Sequence, residues 1–200
     1  MSTPDNLFPT NHLLRARAER EERLRQRAVA VWLFGLSGSG KTTLANALDR
    51  RLAQDGFTSF VLDGDNVRTG LNRGLGFSDD DRRENIRRVA EVSKLFVHSG
   101  LIVINAFITP RRELRDLARE IIGTDDLLEI YVEASFEVCA GRDPKGLYAK
   151  AHAGAVPSFT GRDSAFEAPD RVHLTLQTER ESPAESLERL YAVVKPRIVR

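Results

Sequence analysis

Gly35-Leu36-Ser37-Gly38-Ser39-Gly40-Lys41-Thr42 decides how this chain is read. The apolar run Val29-Ala30-Val31-Trp32-Leu33-Phe34 precedes it, and the helix-forming stretch Thr43-Leu44-Ala45-Asn46-Ala47-Leu48 follows. Strand, glycine-rich turn and helix in that order are the context a phosphate-binding loop (P-loop) requires. The glycines let successive backbone N–H groups turn inward on an anion. The helix N-terminus adds its positive dipole end. In such a loop Lys41 reaches the β- and γ-phosphates of ATP, and the Thr42 hydroxyl holds Mg²⁺. Gly35, Ser37, Gly38, Ser39, Gly40, Lys41, Thr42 and Thr43 are the expected ATP-binding set.

Outward from the loop, strand and helix signals alternate. Thr58–Leu62 reads as a short strand ending in Asp63-Gly64-Asp65-Asn66. Ser78 is an expected N-cap, with Asp79, Asp80 and Asp81 in the first turn of a helix that stops at Gly100. Leu101–Phe107 is a continuous apolar strand, as a buried parallel sheet needs. Thr109-Pro110 is expected to open a helix with proline at its first position. Leu128–Val132 is the next strand and Ser135–Gly141 a short helix. Residues 143–170 lose periodicity, too long a stretch for an idle loop, and read as a lid. Val172–Leu176 is the last strand, and Ser182-Pro183-Ala184-Glu185 is a capping box starting the final helix. The expected fold is α/β: a P-loop kinase with a five-stranded parallel sheet, helices on both faces and a lid segment. Ligands in such folds sit beyond the carboxyl ends of the strands, where the P-loop, Asp63 and Thr109 all fall.

Residues 1–12 are polar with two prolines and read as a disordered or loosely docked arm. Residues 13–27 read as a charged helix with Glu19–Arg23 and Glu21–Arg25 as i,i+4 pairs. Either a solvated face or a partner-docking arm fits that composition. The expected division is an arm over 1–27 and a kinase domain over 28–200, with the lid at about 143–170. Of 200 residues, 41% are hydrophobic and 30% charged, which suits an ordinary globular domain. Lys+Arg 30 against Asp+Glu 29 gives no global field for nucleic acid or a membrane surface. No apolar run approaches membrane-spanning length. The single cysteine, Cys139, excludes an internal disulfide and a cysteine zinc site. His12, His98, His152 and His173 show no metal-ligand spacing. With no signal peptide at its start, the chain is expected in the cytoplasm.

Asp63 and Asp65 stand where phosphoryl transfer wants a carboxylate beside Mg²⁺ and the attacking hydroxyl. Asp-Gly and Asp-Asn are also ordinary turn pairs, and both readings stay open here. On a helix Arg82 and Asn85 share a face, as do Arg83 and Arg87. Such a face suits a phosphate or sulfate, or else is a surface salt-bridge face. Phe77 and Phe159 fit either an aromatic-base sandwich or core packing. A kinase of another small metabolite, and a nucleotide-binding regulator without catalysis, are the competing functions.

Six segments in order resemble the adenylyl-sulfate kinases: Gly35 to Thr42, Asp63-Gly64-Asp65-Asn66-Val67-Arg68, Leu75-Gly76-Phe77-Ser78, Arg82 and Asn85-Ile86-Arg87-Arg88, Asp143-Pro144-Lys145-Gly146-Leu147-Tyr148, and Phe159-Thr160-Gly161. The resemblance covers about residues 30–195. It implies transfer of the ATP γ-phosphate to the 3′-hydroxyl of adenylyl sulfate in sulfate activation, with ATP and Mg²⁺ as cofactors. It implies Asp63, Lys41 and Lys145 as catalytic residues, and Thr42 with Asp63 as metal ligands. Asp65, Asn66, Arg68, Phe77, Arg82, Asn85, Ile108, Thr109, Lys145, Ser158 and Phe159 would bind substrate, and Arg142 would pack on the ATP base. It also implies a homodimer, with a sulfate adenylyltransferase as a candidate partner. Two departures stand out. The family usually carries serine where this chain has Thr109, and that serine has been assigned a phosphorylated-intermediate role in some members. Thr109 before Pro110 is expected to cap a helix and touch substrate instead. The pair Arg111-Arg112 is the second departure, and the resemblance offers no account of it.

Overall fold

The apolar run ahead of the P-loop becomes a strand in which all five residues are buried. Only a strand covered on both faces has no exposed position. In chain order the computed structural model runs α1 (Arg17–Leu24), β1 (Ala30–Phe34), α2 (Lys41–Gln54), β2 (Ser59–Asp63), α3 (Gly64–Thr69), α4 (Asp79–His98), β3 (Ile102–Phe107), α5 (Arg112–Ile122), β4 (Leu127–Glu133), α6 (Phe136–Arg142), α7 (Leu147–His152), β5 (Leu174–Gln177) and α8 (Pro183–Ile198). The described residues are 7, 8, 10–152, 160, 161 and 165–200. Ser158, Phe159 and the His152 side chain lie outside them, as do residues 1–6 and 9 of the arm.

The sheet is five-stranded in the order β2-β3-β1-β4-β5, and every ladder is parallel. Successive side chains of β1 leave on opposite faces. Val31 and Leu33 join Leu44, Leu48, Leu52, Leu190 and Val194 beneath α2 and α8. Ala30, Trp32 and Phe34 join Val89, Ala90, Leu114 and Ala118 beneath α4 and α5. Leu48 is fully buried, and cutting such a side chain to alanine costs about 2–5 kcal/mol. α4 and α8 start as read: Ser78 accepts from Asp81 N, and Ser182 with Glu185 forms a complete capping box.

Three expectations are corrected. Thr109-Pro110 does not open α5, which begins at Arg112 with Arg111 as N-cap and no side-chain cap bond. Thr109 instead turns through the left-handed region at φ 43, and Glu167 Oε2 accepts from Arg112 N at 2.6 Å. The i,i+4 pair of Glu21 is with Arg17 at 2.8 Å, not Arg25. Arg25 is the left-handed C-cap that ends α1, so its side chain leaves the helix face. The lid is not wholly irregular, because α7 forms where Asp143 accepts from the N–H groups of Tyr148 and Ala149.

The arm is tied in from Arg17 onward. Arg17 bridges Asp126 at 2.6 Å and donates to Ala28 O at 2.9 Å. Gln26 has no exposed surface. It donates to Thr58 O and Gly100 O and accepts from Thr58 N, so its whole amide joins the segment before β1 to the loops entering β2 and β3.

Candidate functional site

At the carboxyl ends of β1, β2 and β3 the chain leaves a cavity of about 770 Å³. Its walls come from the P-loop and α2 on one side, and from α3, the start of α4 and the Ile108–Pro110 turn on the other. No helix among the described residues is long and apolar enough to cross a membrane.

The P-loop has no room for side chains at two glycines. A Cβ on Gly35 would lie 2.2 Å from Val132 O, and one on Gly38 would lie 2.9 Å from Cys139 O. β4 and α6 thus press against the back of the loop. Lys41 folds under it and donates to Gly35 O at 3.0 Å and Leu36 O at 2.6 Å. Burial pushes the Lys41 ammonium down to about 8. Thr42 Oγ1 donates to Asp63 Oδ2 at 2.7 Å, while Asp63 Oδ1 accepts from Asp65 N and caps α3. Asp63 is thus a capping residue and a cavity carboxylate at once.

Hydroxyl and carboxylate oxygens side by side suit Mg²⁺, which takes one or two protein ligands and fills the rest with phosphates and water. Among the described residues no group of three or more His, Cys, Asp or Glu offers a complete cage. A cation carried in by a nucleotide fits this donor set.

Arg142 donates to Thr178 O at 2.5 Å and to its hydroxyl at 3.1 Å, and Thr178 Oγ1 donates to Ser39 O. That fixes a guanidinium beside the loop, at the end of the cavity lined by Thr178, Glu181 and Pro183. Tyr148, buried on α7, donates to Ser37 O at 2.8 Å and ties the lid helix to the P-loop. The Lys145 ammonium pairs with Asp65 across the mouth. Thr178 lines the cavity with no motif signal of its own. Tyr148 is the last residue of the Asp143-to-Tyr148 motif in the lid segment.

At the other end Arg68 lies over the Phe77 ring at 4.5 Å and donates to Leu75 O and Gly76 O. Arg82 donates to Phe77 O and to Thr160 Oγ1. Partial burial lowers both arginines from their usual value. Phe77 is 55% exposed, which rules out core packing for it. α4 splits as its spacing allows. Arg82 and Asn85 face the cavity, whereas Arg87 and Arg88 clasp Glu84 outside it and pull that carboxylate down to about 2. Asn85 is oriented by buried Asn72, whose Nδ2 donates to Asn85 Oδ1 at 3.0 Å. Asn72 is a residue that sequence reading missed.

Ile108 and Thr109 line the cavity, but Asn66 and Gly35 do not, and Ser39 is buried behind the loop. Trp32 Nε1 donates to Thr109 Oγ1 at 2.9 Å. Arg115, itself buried, donates to the carbonyls of Thr109 and Pro110 and lies over Phe34. Arg111 and Arg112 find an account here. Arg111 pairs with Asp79 at 2.6 Å and Arg112 with Asp170 at 2.5 Å, joining the turn to the start of α4 and to the last residue of the lid segment.

A family profile for adenylylsulphate kinase matches residues 27–177. An adenylyl-sulfate kinase of Bacteroides fragilis is 50% identical over 200 residues, covering 100% of this chain and 99% of its own. A probable adenylyl-sulfate kinase of Halalkalibacterium halodurans is 51% identical over 88% of each chain. Among solved structures, the Mycobacterium tuberculosis APS kinase in complex with AMPPNP and APS superposes with a TM-score of 0.81 at 41% identity, covering 84% of this chain and 98% of that one.

Proposed function

The chain belongs to the adenylyl-sulfate kinase family, and from that premise we propose how its own residues carry out the reaction. The enzyme transfers the γ-phosphate of ATP to the 3′-hydroxyl of adenylyl sulfate, giving 3′-phosphoadenylyl sulfate and ADP. One observation carries the assignment of sites. A single cavity joins a P-loop bearing Lys41, Thr42 and Asp63 to an end bearing Phe77, Arg68 and Arg82. That pairs a triphosphate site with a site for an aromatic base on an anion.

Catalysis here is positioning and charge stabilisation, with no covalent chemistry for the protein to do. Lys41 exchanges its two carbonyl partners for β- and γ-phosphate oxygens, and Arg142 packs on the ATP base. Thr42 and Asp63 would hold Mg²⁺, which when bound neutralises charge on the transferring phosphoryl group. Asp63 orients the 3′-hydroxyl and takes its proton as the new bond forms. Phe77 clamps the substrate adenine, with Asp65, Asn85, Ile108 and Thr109 around it, and the family resemblance adds Phe159, Ser158 and Asn66 to that set. Arg68 and Arg82 meet the phosphosulfate. Lys145 leaves Asp65 to reach the phosphates as the lid, about 143–170, closes. On the same reading the enzyme is a cytoplasmic homodimer, and a sulfate adenylyltransferase supplies its substrate. The family resemblance supports the assembly.

ADP release with MgATP, with and without adenylyl sulfate, tests the assignment. Turnover that needs adenylyl sulfate, and that Asp63→Ala removes while ATP binding survives, is the expected result. A folded, ATP-binding protein that ignores adenylyl sulfate would overturn it.

A further inference from the structure

Trp32 sits on the central strand, with 1% of its surface exposed, yet its one polar atom is committed to a cavity residue 77 positions away. An indole N–H can only donate. The Thr109 oxygen must therefore accept, and its own proton has to point elsewhere. Among the described residues Thr109 Oγ1 donates to nothing, and Thr109 lines the cavity. A buried hydroxyl proton without an acceptor is costly unless a ligand supplies one.

The backbone around it is over-determined in the same sense. Thr109 is β-branched at φ 43, a conformation such residues rarely adopt. Gly35 N donates to Ile108 O at 3.2 Å, Arg115 donates to the Thr109 and Pro110 carbonyls, and Glu167 N donates to Pro110 O at 2.8 Å. So many contacts on three residues hold one hydroxyl orientation rather than merely close a turn.

We propose that Trp32 is a positioning residue, which fixes the Thr109 hydroxyl as a hydrogen-bond donor to adenylyl sulfate. Thr109 is then a substrate contact and not a phosphoryl carrier, because one of its lone pairs is held by the indole and its proton is spent on the substrate. The inference rests on the kinase reading above for the identity of that substrate.

Trp32→Phe keeps the ring that stacks on Phe107 but removes the N–H. Thr109→Val keeps the shape and removes the hydroxyl, and Thr109→Ser restores it. Each change that breaks the bond is expected to raise KM for adenylyl sulfate about fivefold to tenfold, the scale of one neutral hydrogen bond. KM for ATP should hold, Thr109→Ser should recover most of what Thr109→Val loses, and the double variant should be no worse than Thr109→Val alone. Because Trp32 is the sole tryptophan, loss of the bond in Thr109→Val should also shift the indole emission to the blue. Additive losses in the double variant, or equal losses for both substrates, would make Trp32 a core residue only. Label retained on Thr109 after a single turnover with γ-labelled ATP would overturn the donor role. Wild-type protein that turns over ATP but not adenylyl sulfate would overturn the kinase reading and this inference together. Normal turnover with an unchanged Trp32→Phe would overturn this inference alone.

Discussion

Lys41 is held at about 8 because its ammonium is buried with two carbonyls and, among the described residues, no carboxylate in direct contact. Phosphate oxygens restore its preference for the charged form. Below pH 8 the free enzyme already carries the proton, and ATP affinity should be flat. Above it the proton must be taken up on binding, so affinity should fall by up to about tenfold per pH unit. Calorimetry in buffers of different ionisation heat should register that uptake at pH 9 and not at pH 7. Stability of the ligand-free protein moves the other way. The unfolded lysine titrates near 10.5, so between about 8 and 10.5 the unfolded state binds more protons and folding gains as pH rises. Thr109 is the other instructive residue. Threonine before proline reads as a helix start. What decides its conformation is an indole on β1 and a guanidinium on α5, neither of which its neighbours in sequence announce.

Elements whose ends carry their own chemistry were readable. α4 and α8 begin at serines that cap them, and β1 and β3 are buried throughout because both faces are covered. α3 was not readable. It has six residues, starts at Gly64, and exists because Asp63 caps it, so its sequence looks like a pair of turns. α7 stayed hidden for a related reason: it is six residues long, and its packing rests on Tyr148 bonding to the P-loop. Of the described glycines, Gly35 in the loop between β1 and α2 has the least room for a side chain. Gly35→Ala places a methyl 2.2 Å from Val132 O at φ 153, so the loop must move away from β4. ATP binding should be lost and the unfolding free energy from urea denaturation should fall by about 2 kcal/mol or more, on the scale of overpacking plus backbone strain. Gly141→Ala on α6, where nothing lies within 4 Å of the added carbon, should leave both unchanged.

Across the whole molecule, the segment before β1 acts as a strap over the end of the sheet remote from the cavity. Gln26 is its buckle, with three backbone bonds and no exposure. Gln26→Ala leaves Thr58 N and Gly100 O without their partner, and leaves Thr58 O with Ile102 N alone. Stability should fall by about 2–4 kcal/mol, read by chemical denaturation, and limited proteolysis should cut sooner before Ala30. ATP binding should persist, since the P-loop lies at the opposite end of β1. The charge balance of the chain gave no hint of this strap. Its logic is one side-chain amide matched to the backbone groups just ahead of two neighbouring strands.

The back of the P-loop offers one further consequence. Cys139, the only thiol, has no exposed surface, and its backbone lies against Gly38. Burial also pushes the thiol above its ordinary range. Tyr148 and Ala151 of α7 pack around it, so a thiol reagent can reach it only when the packing of α6, α7 and the loop opens, and the rate of its labelling is a clock for that opening. MgATP, by holding the loop from the front, should slow the clock in proportion to its occupancy, and a chemical modification would then report a mechanical event that leaves no trace in the product.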